Sequence, residues 1–227
     1  MKYENIREGI FRARPNRFIA HVEVGSKIET VHVKNTGRCK ELLVPGALVY
    51  LEESRNPARK TKYDLVTVKK GDRLINMDSQ APNRLFSEWA GSGAFRPDLT
   101  LLRPERTWGN SRFDFYWENE AGQRGFVEVK GCTLENGGHA KFPDAPTLRG
   151  VKHLEELVLA KKAGYETTVF FVLQMEGMTD FSPNDETHPA FGKALRAAAA
   201  AGVDIMAYSC RVIPGQVTIG KPVPICL

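Results

Sequence analysis

The chain has 227 residues, of which 42% are hydrophobic and 26% are charged, a composition typical of globular proteins and unlike that of disordered or fibrous ones. No apolar stretch approaches the ~20 residues of a membrane-spanning helix, and the charged N-terminal residues are not expected to form a signal peptide. The four cysteines lie far apart without a Cys-x-x-Cys pair. A zinc site or disulfide framework is therefore not expected, and cysteine usage indicates a cytoplasmic protein.

The positive charge of the chain is concentrated near its N-terminus. Residues 1–82 contain 16 Lys and Arg against 10 Asp and Glu, whereas residues 83–227 contain 16 against 17. Because phosphate neutralisation drives non-specific nucleic-acid binding, a basic module indicates a polyanionic partner. The alternative is an ordinary solvated basic surface.

Residues 1–82 have the pattern of a small β-domain. Alternating apolar residues predict strands within 9–33, at 47–52, at 63–70 and at 73–77, with turns at Gly25 and Gly71. About five short strands in ~80 residues favour a small closed barrel, and the oligonucleotide-binding (OB) barrel is the commonest of that size. We therefore predict an OB-like nucleic-acid-binding barrel over residues 1–82.

A basic loop at residues 55–62 is expected to protrude from this barrel. OB barrels bind single strands through a basic groove and stacking aromatics, but aromatic residues are few in this part of the chain. Contacts to the nucleic-acid backbone are therefore expected from basic side chains. The candidates are Arg14, Arg17, Lys34, Arg38, Lys40, Arg59, Lys60 and Lys62.

The pattern changes near residue 82, and residues 83–227 read as α-β-β-β-α-β-α-β, an α/β architecture. Asn83 is predicted to cap a short helix that ends near Gly91. Residues 136–144, rich in Gly, Pro and His, are expected to form a flexible loop near a site. The continuous apolar run at 167–174 predicts a strand buried on both faces of a mixed or parallel sheet.

A hairpin within this second domain brings acidic residues together. Alternation in a strand places Asp114 away from Phe113 and Phe115, and places Glu128 and Lys130 on one face. The polar, Gly-containing segment at 118–123 predicts the connecting loop. We therefore expect two carboxylates and an ammonium group at one point on the sheet.

Two carboxylates at one point can hold Mg²⁺, and a lysine beside them can orient a nucleophile or stabilise developing charge. An acidic residue followed at some distance by Glu-x-Lys is the PD-(D/E)xK nuclease pattern. Glu-x-Lys is common by chance, however, and an exposed strand with a salt-bridged Glu128 and Lys130 is the alternative. Glu105 is a further carboxylate candidate, although a glutamate in a loop is more often simply exposed.

The helix predicted at 147–163 carries a polar stripe. Its members lie at i, i+3, i+4 and i+7, and they are Arg149, Lys152, His153 and Glu156. Val151, Leu154 and Val158 are expected on the opposite face, packed on the sheet. The stripe could be a solvated surface or could line a phosphate path beside Glu128, and the pattern favours neither.

Several ordered blocks of the chain resemble the sugar fermentation stimulation protein A family. They are FIAHV at 18–22, HVKNTGR at 32–38, ELLVPG at 41–46, Glu105, SRFDF at 111–115, VEVK at 127–130, FPDAPT at 142–147 and RGVKHL at 149–154. The resemblance implies an OB barrel followed by a restriction-endonuclease-like PD-(D/E)xK domain over 83–227, in an overall α+β fold. It also implies non-specific DNA binding and Mg²⁺-dependent cleavage of DNA and, as an open extension, RNA. Phe113 stands where the wider nuclease pattern has proline.

Two hypotheses follow. In the first, the protein is a nuclease in which Asp114 and Glu128, with the Val129 carbonyl, hold Mg²⁺ or Mn²⁺, and Lys130 and Glu105 complete the catalytic set. Nucleic acid would contact Arg38, Arg59, Lys60, Lys62, Arg112, Arg149, Lys152 and His153. In the second, the protein is a non-enzymatic DNA-binding regulator of sugar metabolism, read in the family as maltose metabolism. A sugar-binding regulator ranks third, and a homodimer remains open.

Overall fold

The structure, a computed structural model, describes residues 1–35 and 37–227. The N-terminal part contains β1 (Ile6–Asn16), β2 (Ile19–Val24), β3 (Lys27–Val33), β4 (Leu48–Glu53), β5 (Tyr63–Lys70) and β6 (Arg73–Asn76). The remainder contains α1 (Ala81–Gly91), β7 (Leu99–Trp108), β8 (Ser111–Asn119), β9 (Arg124–Cys132), β10 (Glu135–Asn136), β11 (His139–Phe142), α2 (Leu148–Lys162), β12 (Glu166–Leu173), β13 (Asp180–Pro183), α3 (Pro189–Ala200), β14 (Asp204–Ile213) and β15 (Gln216–Pro222). None of the helices in the described ranges is long and apolar enough to cross a membrane.

The first six strands form the predicted barrel. They follow the order β3-β2-β1-β4-β5-β6, and β3 also pairs with β5, so that strands β1 to β5 close on themselves. The closing contact is parallel and joins His32 to Asp64 and Val33 to Leu65. Closure buries the inward residues of each strand, among them Val22, Val31 and Leu65, and removes the exposed strand edges that favour aggregation.

A mixed six-stranded sheet forms the centre of the second part, in the order β15-β14-β12-β9-β8-β7. β12 runs parallel to both β9 and β14, whereas the outer strands are antiparallel. β12 is buried from Thr167 to Leu173, which confirms the prediction of a strand covered on both faces. Phe86 of α1 packs against Phe170 on one face, and α2 with α3 covers the other.

Local differences from the predicted elements concern three segments. Helix α1 begins at Ala81 with Pro82 in its first turn and no side-chain cap, so the prediction that Asn83 caps it was wrong. β7 continues to Trp108 and includes Glu105, which was expected in a loop. Residues 136–144 contain the end of β10 and all of β11, which join β13 in a small three-stranded sheet, so this segment is not a plain loop.

The barrel and the α/β part share buried contacts. Asn76 of the barrel exchanges hydrogen bonds with Gln174, from its backbone N–H to the Gln174 carbonyl and from the Gln174 amide to its own side chain, both at 2.9 Å. Glu135 accepts hydrogen bonds from Lys70 and Arg73, each at 2.6 Å. These contacts hold the two parts together, and the predicted division at residue 82 stays a prediction.

Candidate active site

Asp114 lies where the pairing of two central strands ends. The β8–β9 ladder stops at the pair Phe115–Val127, and the first residues of β8 pair only with β7. The next position along both strands therefore holds Asp114 beside Glu128. Oδ2 of Asp114 accepts a hydrogen bond from the backbone N–H of Val129 at 2.8 Å. The carboxylate thus occupies the gap that the missing ladder bond leaves in the sheet.

The alternation of side chains along β8 breaks at Asp114. Phe113 packs on Phe126, with ring centroids 5.1 Å apart, whereas Phe115 packs on Phe86 in the cluster on the other face of the sheet. The prediction that Asp114 points away from both phenylalanines was therefore wrong. Across β7, the residue opposite Asp114 is Glu105, whose φ of 55° is uncommon for a non-glycine residue. The sheet is distorted at this point.

A second donor to Asp114 comes from α1. The side-chain amide of Asn83 donates a hydrogen bond to Oδ1 of Asp114 at 2.9 Å. Reasoning from the sequence missed this residue, because no local pattern connects two positions 31 residues apart. Together, Asn83 and the Val129 N–H fix both oxygens of Asp114, and each oxygen keeps a second lone pair for another partner.

Glu128 is only 2% exposed and has two unlike carboxylate oxygens. Oε1 accepts a hydrogen bond from Nζ of Lys130 at 2.5 Å and another from Nδ1 of His153. Oε2 is buried and has no hydrogen-bond partner among the described residues. An unpartnered buried carboxylate oxygen is costly, so this atom is left to accept a further partner.

His153 contacts Glu128 from α2. Nε of Arg149 donates to Nε2 of His153 at 3.3 Å, so Nε2 acts as an acceptor and the proton resides on Nδ1, which donates to Glu128. His153 and Glu156 are buried, whereas Arg149 and Lys152 are exposed. The predicted polar stripe is therefore divided, and half of it faces the sheet.

The two carboxyl groups have opposite pKa shifts. Burial raises the pKa of Asp114, and the neighbouring negative charge of Glu128 raises it further, against the lowering effect of the Val129 N–H and Asn83. Burial also raises the pKa of Glu128, but the His153 hydrogen bond and the charge of Lys130 outweigh it and hold that pKa below its usual range. Glu128 is the more firmly ionised of the pair.

Three other predicted residues of this domain lie outside the carboxylate pair. Glu105 is exposed, and its carboxylate forms an ion pair with Arg112 at 3.5 Å. Lys152 donates from Nζ to the carbonyl of Asn110 at 2.8 Å. Within the described ranges, no hydrogen bond or ion pair joins any of the three to Asp114 or Glu128, so a catalytic role for Glu105 stays an untested prediction.

The predicted basic loop of the barrel is largely occupied by its own ion pairs. Both terminal nitrogens of Arg59 donate to the buried carboxylate of Asp64, at 2.8 and 2.7 Å. Lys62 lies 3.1 Å from Glu53. Lys60 is exposed and forms no ion pair in the part of the chain that the structure describes. Arg59 and Lys62 are thus less available for phosphate than the sequence alone indicates.

Two models of known protein families match the chain. A family model described as "SfsA N-terminal OB domain" matches residues 13–77, and one described as "Sugar fermentation stimulation protein RE domain" matches residues 80–216. The chain belongs to the sugar fermentation stimulation protein family. The matches confirm the predicted fold of an OB barrel followed by an α/β domain of the restriction-endonuclease-like type.

Relatives within this family match over the full length of the chain. A sugar fermentation stimulation protein homolog of Desulfitobacterium hafniense (strain Y51) is 57% identical over 228 residues, covering 100% of this chain and 99% of the relative. The homolog of Clostridium beijerinckii is 52% identical over 227 residues, with 100% of both chains covered. A solved structure of Pyrococcus furiosus SfsA in complex with Ca²⁺ is 26% identical, covers 100% of this chain and 98% of its own, and has a TM-score of 0.90.

Proposed function

We propose that this protein is a divalent-cation-dependent nuclease that binds nucleic acid without sequence specificity. The observation that carries the proposal is the buried Oε2 of Glu128, which lacks a hydrogen-bond partner among the described residues and belongs to a carboxylate whose charge acts on Asp114. A carboxylate that served only to pair with Lys130 and His153 would not need a buried oxygen left without a partner.

The oxygen atoms available at Asp114, Glu128 and Val129 are suitable ligands for a small divalent cation. Asp114 and Glu128 supply carboxylate oxygens, and the Val129 carbonyl faces the same gap as its N–H, because both groups of a strand residue point to one side. No cluster of three His, Cys, Asp or Glu side chains suited to a metal occurs in residues 1–35 and 37–227. Two carboxylates and a carbonyl, with water completing the shell, match Mg²⁺ or Mn²⁺. That the Pyrococcus furiosus relative was solved with Ca²⁺ supports a divalent cation in the family.

Lys130, His153 and Asn83 have different roles in the proposed reaction. A divalent cation bound there would lower the pKa of a water and stabilise a phosphoryl oxygen. Lys130, 15% exposed at its side chain, places an ammonium group where it can orient the attacking water or stabilise charge on the phosphate. His153 holds Oε1 of Glu128 in place, and Asn83 holds Asp114. The buried setting strengthens each of these interactions.

The barrel supplies affinity for the polymer. Its family model is described as an OB domain, and the excess of positive charge lies in residues 1–82. Contacts to phosphate position a nucleic acid without reading its sequence. DNA is the primary partner in this proposal, and RNA is included because cleavage of a phosphodiester needs no deoxyribose.

A cleavage panel tests the proposal. Labelled single-stranded DNA, duplex DNA and RNA are incubated with Mg²⁺, with Mn²⁺ or with EDTA, using the parent, Glu128→Gln, Lys130→Ala and the control Glu156→Gln. We expect cation-dependent cleavage by the parent and the control, and none by the other two variants, while gel-shift affinity persists.

Two outcomes would oppose this expectation. If Glu128→Gln cleaves as fast as the parent, the activity belongs to another site or to a contaminant. If nothing is cleaved under any condition while oligonucleotides still bind, the second candidate, a non-enzymatic DNA-binding regulator, is favoured. The observation that favours this second candidate is the ion pair between Lys130 and Glu128. Ion pairs of this kind also occur in proteins where they serve only stability.

A further inference from the structure

Four of the eight lysines and arginines in residues 1–82 that form no ion pair in the described ranges are clustered. Ion pairs engage Arg7, Arg12, Lys34, Arg55, Arg59, Lys62, Lys70 and Arg73. By contrast, Arg14, Arg17, Arg38 and Lys40 form no ion pair in the described ranges and line one pocket of about 280 Å³. A cluster of uncompensated positive charge is the electrostatic footprint of a phosphate-binding surface.

Arg14 holds together the two loops that line this basic pocket. Its guanidinium donates to the carbonyls of Gly37, Arg38, Arg17 and Asn35, at distances between 2.6 and 2.9 Å. These four bonds hold the loop after β3 against the loop between β1 and β2. Because Arg14 is occupied in this way, the charges left for a ligand are those of Arg17, Arg38 and Lys40.

An exposed aromatic side chain borders the basic pocket. Phe18 is 48% exposed, and the guanidinium of Arg17 lies 5.3 Å from its ring centroid. A ring on the surface of a nucleic-acid-binding barrel offers a face on which an unpaired base can stack. Stacking of this kind requires a base that is free of its partner strand.

A second cavity, of about 370 Å³, lies next to the basic pocket in the cleft between the two parts of the chain. Gly37 lines both spaces. The far wall includes Gly131 and Thr133, which follow Lys130 at the end of β9, together with Lys141 and Asp144. A ligand that extended across Gly37 into this cavity would therefore reach Gly131, one residue along β9 from Lys130.

Gly37 separates the two spaces and packs against Asp144. A Cβ at this position would lie 2.7 Å from Oδ2 of Asp144 and 2.9 Å from Oδ1 of Asn35, which is closer than real Cβ contacts, so a larger residue would displace Asp144. Asp144 repels phosphate but accepts hydrogen bonds from the N–H groups of a base, and Lys141, without an ion pair in the described residues, can meet a phosphate. A cavity of this size suits one nucleotide of a single strand and excludes a duplex.

We propose that a single-stranded polynucleotide, or the unpaired end of a duplex, follows this path. Its phosphates contact Arg17, Arg38 and Lys40, it crosses Gly37, and one nucleotide enters the interdomain cavity, whose wall includes Gly131. The inference rests on the proposed function and specifies its substrate as single-stranded. Binding along the path needs no cation, so it is tested separately from cleavage.

The test measures fluorescence anisotropy in EDTA with a labelled oligo-dT of about 12 nucleotides, an oligo-U of equal length and a hairpin duplex of equal charge. Arg17→Ala/Lys40→Ala is compared with Lys27→Ala/Lys69→Ala, which removes two exposed barrel cations that form no ion pair in the described ranges and lie outside both spaces. We expect the first double variant to lose at least tenfold in affinity for the single strand and the control to lose less than twofold. For Arg17→Ala/Lys40→Ala, the slope of log affinity against log salt concentration should become shallower by about 1.4, as expected for the loss of two contacts to single-strand phosphates.

The interdomain cavity has its own variants, Lys141→Gln and Asp144→Asn. Both should weaken binding of oligo-dT severalfold with unchanged melting temperature. Three results would each overturn the path. The two double variants could lose affinity equally, or the duplex could bind as tightly as the single strand. The third is unchanged binding by Lys141→Gln and Asp144→Asn. If cleavage still depends on Glu128 in that event, the proposed function stands and only the path fails. Comparison of oligo-dT with oligo-U shows which sugar the path prefers.

Discussion

His153 on α2 donates a hydrogen bond from Nδ1 to Oε1 of Glu128 on β9. From the sequence, His153 was predicted to lie near Glu128 and to contact phosphate. Instead, His153 is 5% exposed and is held from behind by Arg149. The hydrogen bond fixes one oxygen of Glu128, and the other, Oε2, is buried without a hydrogen-bond partner among the described residues. His153 is therefore a positioning residue in the proposed site.

Replacement of His153 by alanine should lower cleavage and cation affinity by about 10- to 100-fold, as is usual when a group that orients a metal-binding carboxylate is lost. His153→Asn retains a donor near the position of Nδ1 and should recover part of both. Glu155→Ala, on the exposed side of the same helix, is the control. A merely structural role predicts lower stability of His153→Ala with unchanged cation affinity, which titration of Mn²⁺ would reveal.

Asn83→Ala should raise the dissociation constant for Mn²⁺ severalfold, because Oδ1 of Asp114 loses the donor that orients it. The melting temperature should stay equal or rise slightly, since Asn83 is exposed in a helix where alanine has the higher propensity. Calorimetric titration and a thermal melt of the same sample separate the two effects. Unchanged cation affinity would remove Asn83 from the site.

The sequence predicted the parts of this molecule that depend on local patterns. Alternating apolar residues identified the barrel strands, the continuous apolar run at 167–174 identified β12, and the spacing of polar and apolar residues identified α2. The pair Asp114 and Glu128 followed from a hairpin, which is also a local feature. Such features require only the neighbouring residues of the chain to be known.

Contacts between distant segments could not be predicted in the same way. The hydrogen bond from Asn83 to Asp114 depends on how α1 packs on the sheet, and the break in alternation at Asp114 depends on where β8 leaves β9. The ion pair of Arg59 with Asp64 joins a loop to a strand whose buried face was not known. These features are set by tertiary packing, which overrides the local pattern.

Arg59→Ala should destabilise the barrel rather than weaken nucleic-acid binding. Burial raises the pKa of Asp64, but the hydrogen bonds from Arg59 and His32 outweigh it and keep that pKa low. Loss of Arg59 leaves the buried carboxylate short of donors, at a cost of about 2 kcal/mol, or about 5 °C in melting temperature. Lys60→Ala, in the same loop, should change neither. If Arg59→Ala binds oligonucleotide more weakly but melts normally, the contact predicted from the sequence is real.

Glu135→Gln should weaken the connection between the barrel and the α/β part. The carboxylate is 4% exposed at its side chain and contacts Lys70 and Arg73. Burial raises its pKa, yet the hydrogen bonds of Lys70 and the Gly138 N–H and the two positive charges lower it on balance. We expect a loss of about 2 kcal/mol at neutral pH.

The pH dependence of this variant follows from the direction of the shift. Because the folded protein holds the pKa of Glu135 below the unfolded value of about 4.3, the stabilisation is complete above that value and disappears as pH falls through the folded pKa. The difference in melting temperature between parent and Glu135→Gln should therefore be constant from pH 7 to about 4.5 and shrink below it. A difference that grows on acidification would contradict the role of this carboxylate.

A divalent cation held by Asp114 and Glu128 is the premise of the proposed function, and calorimetric titration of Mn²⁺ measures it directly. The parent and Glu156→Gln, which changes another buried glutamate, should bind one cation with the same affinity. Asp114→Asn and Glu128→Gln should show no saturable heat while melting as cooperatively as the parent. Equal binding by the parent and Glu128→Gln would contradict the assignment of the site.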